Sequence, residues 1–194
     1  MGADGALADS LRQSQLPLSV TVWVPAFCCA VRDLNRPLGN AVADGLDELL
    51  LGLDGVVDPE RIPSFSDAEP PDLHAPDTDL ECVVEWLSTP CHSGLFVSTA
   101  VIEQLARDFE VPRGFGNRRR VLRALLEGAS RYGGLDKVLS LVSELAGRHR
   151  IRLETTYGSS PMLAQATGSW KDRLLATQDF LQEAIRLFVG GRSG

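Results

Sequence analysis

Three histidines and four cysteines are the side chains of this 194-residue chain best suited to nucleophilic or metal chemistry. A catalytic serine or cysteine needs a histidine and an orienting acid, and zinc sites use paired ligands at short spacings. Cys91 and His92 are adjacent, but sequence neighbours usually point apart, and their spacing from Cys82 and His74 matches no zinc pattern. His149 falls near a predicted helix C-terminus, where a cation suits the helix dipole. We therefore predict a non-enzymatic protein with no catalytic residues, no metal site and no cofactor.

The charge pattern is more informative than the nucleophiles. The net charge of −7 argues against nucleic-acid binding, which needs a basic surface. Residues 41–90 carry thirteen acidic side chains against Arg61 alone, a net charge of −12, whereas residues 113–152 carry ten basic and three acidic side chains, a net charge of +7. Two interpretations stay open: the segments neutralise each other within the fold, or they bind external partners.

Residues 58–77 contain five prolines and predict an exposed, acidic, proline-rich loop, because proline lacks an N–H donor and blocks helices. A loop of this length inside a compact domain usually has either a function or disorder to explain it. We interpret the polar residues near its end as the mouth of a client-binding groove, formed by Asp67, Glu69, Asp72 and His74. An acidic rim around an apolar groove favours a protein client with a basic peptide segment.

A run of arginines opens the predicted helix at 118–132, where the helix dipole disfavours cations. Such a placement calls for a negative partner, and the acidic segment of the same chain is one candidate. The alternative is a small anionic ligand, bound by a regulatory helical protein through the basic helix start at 113–123. That anion site would consist of Arg113, Asn117, Arg118, Arg119 and Arg120.

Apolar residues at helical spacing predict an all-α protein, with a single helical domain over residues 1–194. We expect a bundle of about seven to nine helices and a flexible start over residues 1–10. Residues 18–24 alternate like a short strand, and a helix from Val22, with Pro25 in its first turn, competes with that interpretation. The chain shows no membrane-spanning run and no export signal, which favours a cytoplasmic location with reduced thiols.

Polar residues at predicted helix starts set several boundaries. Thr78 opens a capping box, and Ser98 and Asn117 precede the next two long helices. Ser169 has the same pattern and predicts the start of a final helix, separate from a short one beginning at Pro161.

The stretch CHSGLFVSTAVIEQLARDFEVPRGFGNRRRVLRALL, residues 91–126, resembles the central region of the TorD/NarJ-like redox-enzyme maturation chaperones. These are all-helical proteins of about this length that bind apo molybdoenzymes, often at a twin-arginine leader peptide, before cofactor loading. The family's E-P-x-D-H box is not intact in this chain; the nearest match is EPPDLH at residues 69–74, which has the residue types with an inserted leucine before the histidine. The resemblance implies a non-catalytic, protein-binding accessory factor, a chaperone for maturation of a molybdenum enzyme that holds a client segment in a helical groove.

Overall fold

A computed structural model describes residues 20–52, 68–75 and 79–190. These residues form eight α-helices and no strand, so the prediction of an all-α helical bundle is confirmed. The predicted flexible start, the Thr78 cap and Asp67 lie outside the described residues. None of the described helices combines the length and the hydropathy that crossing a membrane requires.

The chain divides into two compact units. The first unit comprises residues 1–65 and 151–171, and the second comprises residues 66–150 and 172–194. Two long helices, α7 (Leu135–Tyr157) and α8 (Pro161–Gly190), contribute residues to both units. The prediction of a single domain over 1–194 stays a prediction.

The first unit contains α1 (Val20–Asp33) and α2 (Pro37–Leu51), which pack against each other as a hairpin. Asn35 makes the sharp turn between them with a left-handed φ of 46°, a conformation that asparagine adopts more readily than most residues. Pro25 lies inside α1 rather than in a first turn that begins at Val22, so that prediction is wrong. Proline removes one backbone hydrogen bond there, and Pro25 is buried.

Helix α7 (Leu135–Tyr157) and helix α8 (Pro161–Gly190) are longer than the sequence predicts. Because α7 continues past Arg150, His149 is a buried residue inside a helix and not a residue near its C-terminus. Ser169 lies inside α8, so its predicted role as a cap is wrong. The adjacent Trp170 is buried on the same continuous helix, and this packing outweighs the local cap signal.

The second unit contains four further helices: α3 (Leu80–Ser88), α4 (Pro90–Ser93), α5 (Thr99–Asp108) and α6 (Arg118–Tyr132). Three polar side chains close their N-termini by accepting backbone N–H groups. Asp79 accepts from Glu81 at 2.8 Å, Ser98 accepts from Val101 at 3.2 Å, and Asn117 caps α6. The predicted caps Ser98 and Asn117 are therefore confirmed, and α6 has the predicted boundaries.

Candidate functional site

The described part of the proline-rich loop, residues 68–75, is held by a turn and a buried leucine. The Asp72 carboxylate accepts the backbone N–H of His74 at 2.9 Å, an arrangement typical of an Asx turn. Leu73, between them, is only 8% exposed, whereas Glu69, Asp72 and His74 are exposed. The leucine thus anchors the segment while the polar side chains that we predicted as a binding mouth face outward.

This segment forms one wall of an open cleft of about 400 Å³. The wall consists of Pro70, Pro71, Asp72, Leu73 and His74. The opposite wall is one face of α8, contributed by residues spaced at helical intervals: Ala176, Asp179, Phe180 and Glu183. The structure therefore brings Asp72 and His74 into one concave site and places Glu69 at the start of the same segment.

The floor of the cleft is fixed to the core of the second unit. Phe180, which is 5% exposed, packs on Trp86 with ring centroids 5.9 Å apart. The indole Nε1 of Trp86 donates a hydrogen bond to the Thr177 hydroxyl at 2.8 Å, and that hydroxyl donates to the carbonyl of Ser93 at 2.7 Å. This buried chain of hydrogen bonds ties α8 to α3 and α4, so the α8 wall is a rigid surface.

The cleft is acidic. Among the described residues that line it, Asp72, Asp179 and Glu183 are carboxylates and none is a lysine or an arginine. Glu183 lies 3.4 Å from Nε2 of His74 and accepts a hydrogen bond from Arg186 at 2.8 Å. Apolar surface from Pro70 and Phe180 thus lies beside a cluster of negative charge, an arrangement that favours a ligand with both apolar and cationic groups.

A second cleft of the same unit, of about 790 Å³, lies between α3, α6 and the end of α8. Apolar side chains from all three helices line it: Leu80, Val84, Leu126, Leu187 and Phe188. Four charged residues also line it, and one of them, Glu81, accepts hydrogen bonds from Arg123 and from Arg119. These bonds hold the pKa of Glu81 below its usual range. Part of the acidic segment therefore pairs with part of the basic segment within the chain.

The arginines of the predicted anion site have separate partners. Arg113 pairs with Glu103, and Arg119 pairs with Glu81 at 2.6 Å. The Asn117 side chain accepts the backbone N–H of Arg120, so it is occupied as a helix cap.

Arg118 donates to the carbonyl of Ser88 and stacks over the Phe96 ring, with its guanidinium carbon 4.6 Å from the centroid. It is half-buried, and burial lowers its pKa. Arg120 is exposed, and no ion pair of its side chain is formed within the described part of the chain. Four of the five residues of the predicted anion site, all except Arg120, therefore already have a partner within the chain.

The cysteines show no sign of a metal or redox centre among the described residues. All four thiols are free, and no group of three or more His, Cys, Asp or Glu residues there could hold a metal ion. Burial, with a smaller contribution from Asp47, raises the pKa of Cys28 to about 12, and burial raises that of Cys29 to about the same value. These two thiols are packing residues of the first unit.

Comparison of the chain with protein-family models, with curated proteins and with solved structures finds no match. The class of the protein is thus defined by its fold and its cleft alone: an all-α helical bundle with an acidic, apolar-floored groove in its second unit. Sequence reasoning missed the α8 half of that groove. The available signal was Asp179 and Glu183, two carboxylates four residues apart on one side of a helix whose other side is apolar.

Proposed function

We propose that this protein is a non-catalytic, protein-binding accessory factor that holds a basic segment of a client protein in the cleft between residues 70–74 and α8. The observation that carries the proposal is the combination of a buried aromatic floor, Phe180, with three carboxylates at the rim. A small apolar cleft with a few oriented polar groups is the usual form of a recognition site.

The carboxylates of the cleft lining favour a client segment that carries positive charge. A lysine or arginine of the bound segment would approach Asp72, Asp179 and Glu183, and apolar side chains beside it would pack on Phe180 and the prolines. Each exposed charge pair contributes about 0.2–1 kcal/mol, so the carboxylates supply mainly orientation and attraction. Apolar contacts with the prolines and with the exposed edge of Phe180 add to the affinity.

A more specific form of the proposal is a chaperone for the maturation of a molybdenum redox enzyme. Its support is the resemblance of residues 91–126 to the TorD/NarJ-like chaperones and the position of the EPPDLH segment, residues 69–74. That segment is the nearest match to the family's characteristic box, which is not intact in this chain, and its Asp72 and His74 line the cleft. The client would then be an apo subunit of such an enzyme, bound through a basic leader segment.

The alternative, an anionic-ligand site at the start of α6, has less support. Arg113 and Arg119 are already paired with carboxylates of the chain, and the Asn117 side chain caps its own helix.

The proposal is tested with a fluorescent peptide that carries two adjacent arginines followed by an apolar run. We expect saturable binding, measured by fluorescence polarisation. The affinity should fall as the salt concentration rises, because dissolved ions screen the attraction between the carboxylates and the arginines. The triple variant Asp72→Asn, Asp179→Asn, Glu183→Gln should bind between about threefold and a hundredfold more weakly, the range that three exposed charge pairs give.

A matched variant removes three charges away from the cleft: Glu110→Gln, Asp136→Asn and Glu144→Gln. It should retain the affinity of the unmodified protein. Equal weakening in both variants would mean that only the net charge matters, and unchanged affinity in the cleft variant would overturn the proposal. The molybdoenzyme form is tested by affinity capture from the native host, where an apo subunit should be recovered with the unmodified protein and lost with the cleft variant.

A further inference from the structure

One side chain in the lining of the cleft between residues 70–74 and α8 can change its charge near neutral pH. Histidine is the residue that ordinarily gains a proton between pH 8 and pH 5, and His74 is the histidine of the described lining. Its side chain is 67% exposed, so protons reach it from solvent. The other titratable residues of that lining are carboxylates, a group that is ordinarily ionised throughout this range.

The imidazole of His74 faces Glu183 on the opposite wall of the cleft. Its Nε2 atom lies 3.4 Å from Oε1 of Glu183, which is longer than the distance of about 2.7–2.9 Å in a charge-assisted hydrogen bond. The second oxygen of Glu183, Oε2, accepts a hydrogen bond from Arg186 at 2.8 Å. While His74 is neutral, Oε1 is therefore the oxygen of Glu183 that can receive a cation of a bound segment.

The charged groups around His74 come from both walls of the cleft: Glu69 and Asp72 from its own segment, and Asp179, Glu183 and Arg186 from α8. Three of them, Asp72, Asp179 and Glu183, belong to the described lining and give it a formal charge of about −3 when His74 is neutral. A proton on His74 reduces that charge to about −2. The change falls inside the cleft, where a basic segment would bind.

We propose, on the basis of the function proposed above, that protonation of His74 releases the basic client segment from this cleft. A protonated imidazole donates to Oε1 of Glu183 and so occupies the carboxylate that would otherwise contact a lysine or arginine of the client. The same imidazolium repels that cation directly. The affinity of the cleft for a basic segment therefore falls as the pH falls through the range in which histidine gains its proton.

The side chain and the backbone of residue 74 have separate roles. The backbone N–H of His74 donates to the Asp72 carboxylate and closes the turn, and this bond does not involve the imidazole. A substitution at position 74 therefore changes the charge of the lining and keeps the donor that shapes the loop wall.

The first experiment measures the dissociation constant of the fluorescent arginine peptide at about pH 8 and at about pH 5.5. The peptide has blocked termini and no histidine, so its own charge is constant. The compared quantity is the ratio of the two dissociation constants within one variant, so a change in affinity common to both pH values cancels. The unmodified protein should bind at least about twofold more weakly at the lower pH, the low end of what two exposed charge interactions give.

Three variants identify the group responsible. His74→Gln stays neutral at both pH values and should bring the ratio to about one. His92→Gln is the matched control, because it removes another histidine of the second unit that does not line this cleft, and it should keep the ratio of the unmodified protein. His74→Lys is positive at both pH values; it should also give a ratio of about one, and at about pH 8 it should bind at least about twofold more weakly than His74→Gln. Far-ultraviolet circular dichroism at both pH values checks that each variant is folded.

The second experiment follows the proton on His74 itself. Thermodynamic linkage is reciprocal: if protonation weakens peptide binding, the bound peptide must move the titration midpoint of His74 to lower pH by the same factor. The ring protons of His74 report this midpoint by NMR, with and without saturating peptide. A twofold effect corresponds to a shift of about 0.3 pH units, and the ring protons of His92 serve as the internal reference.

The outcomes separate this proposal from the one on which it rests. No peptide binding at about pH 8 overturns the proposed function and the role of His74 together. Peptide binding with a ratio of about one in the unmodified protein, or a ratio that His74→Gln retains, overturns the role of His74 alone. A midpoint that the bound peptide leaves in place, or moves to higher pH, overturns that role as well.

Discussion

Replacing Thr177 by valine should destabilise the protein strongly, although the two side chains have nearly the same shape. The Thr177 hydroxyl accepts from Trp86 Nε1 at 2.8 Å and donates to the Ser93 carbonyl at 2.7 Å. All three residues are at most 3% exposed, so water cannot replace the lost partner. Each orphaned buried group costs about 1–3 kcal/mol, which gives a loss of about 2–6 kcal/mol from the free energy of unfolding. The free energy of unfolding of a typical domain is about 5–15 kcal/mol in total.

The measurement is urea unfolding, monitored by far-ultraviolet circular dichroism. The slope of the free energy of unfolding against urea concentration is compared between the variants. Thr177→Ser is the matched control, because it keeps the hydroxyl and removes one buried methyl group, a change worth about 1 kcal/mol. We expect valine to be the more damaging substitution even though it is the better steric match. If valine is as stable as threonine, or less damaging than serine, the hydrogen bonds do not fix α8 and the argument for a rigid cleft wall fails.

Three further predictions concern the caps and the buried polar groups. Asn117→Ala should cost about 1 kcal/mol in urea unfolding because it removes the N-cap of α6, while Asn117→Asp should cost little. Tyr157→Phe removes a hydrogen bond donated to the buried Asp47 and should cost about 1–3 kcal/mol by the same measurement; no loss would show that the pair is not formed. Burial raises the pKa of Cys28 and of Cys29 to about 12, whereas unfolded thiols lose their protons above about pH 8.5. The unfolded state therefore gains stability as the pH rises, and the free energy of unfolding should fall by about 1.4 kcal/mol per pH unit for each thiol between those limits; replacing either cysteine by alanine should flatten that slope.

Local signals in the sequence predicted the helices whose ends are made by single residues. Asn117 and Ser98 cap their helices as expected, and Thr89-Pro90 ends α3, because a capping side chain or a proline acts on atoms within one turn. Ser169 carries the same signal and is nevertheless inside a continuous helix. There the burial of Trp170 decides the structure, and burial depends on residues far away in the sequence.

Only the loop wall of the candidate cleft was predicted from the sequence, and the α8 wall was missed for the same reason. Asp72 and His74 belong to one short segment whose composition marks it as exposed, so the sequence predicted that both side chains face outward. Asp179 and Phe180 are about a hundred residues further on. No local pattern specifies that this face of α8 lies opposite the loop, since that pairing is a tertiary contact.

The acidic segment, residues 41–90, and the basic segment, residues 113–152, have opposite net charges. How far these charges pair within the chain bears on whether the acidic surface has an external partner. Glu81 forms ion pairs with both Arg119 and Arg123, so part of the negative charge of the acidic segment is neutralised within the chain. Arg32 pairs with two further acidic residues, Asp44 and Asp47. Complete neutralisation within the chain is nevertheless impossible, because the chain has 26 acidic and 19 basic side chains, a net charge of −7. Asp179 and Glu183 add to the negative charge at the cleft from a different part of the chain. A surplus that collects beside an apolar floor attracts cationic segments and raises their local concentration, and it does so less as salt screens it. The ion pairs of Glu81 with Arg119 and Arg123 connect α3 to α6, and they leave the net negative charge of the cleft lining unchanged.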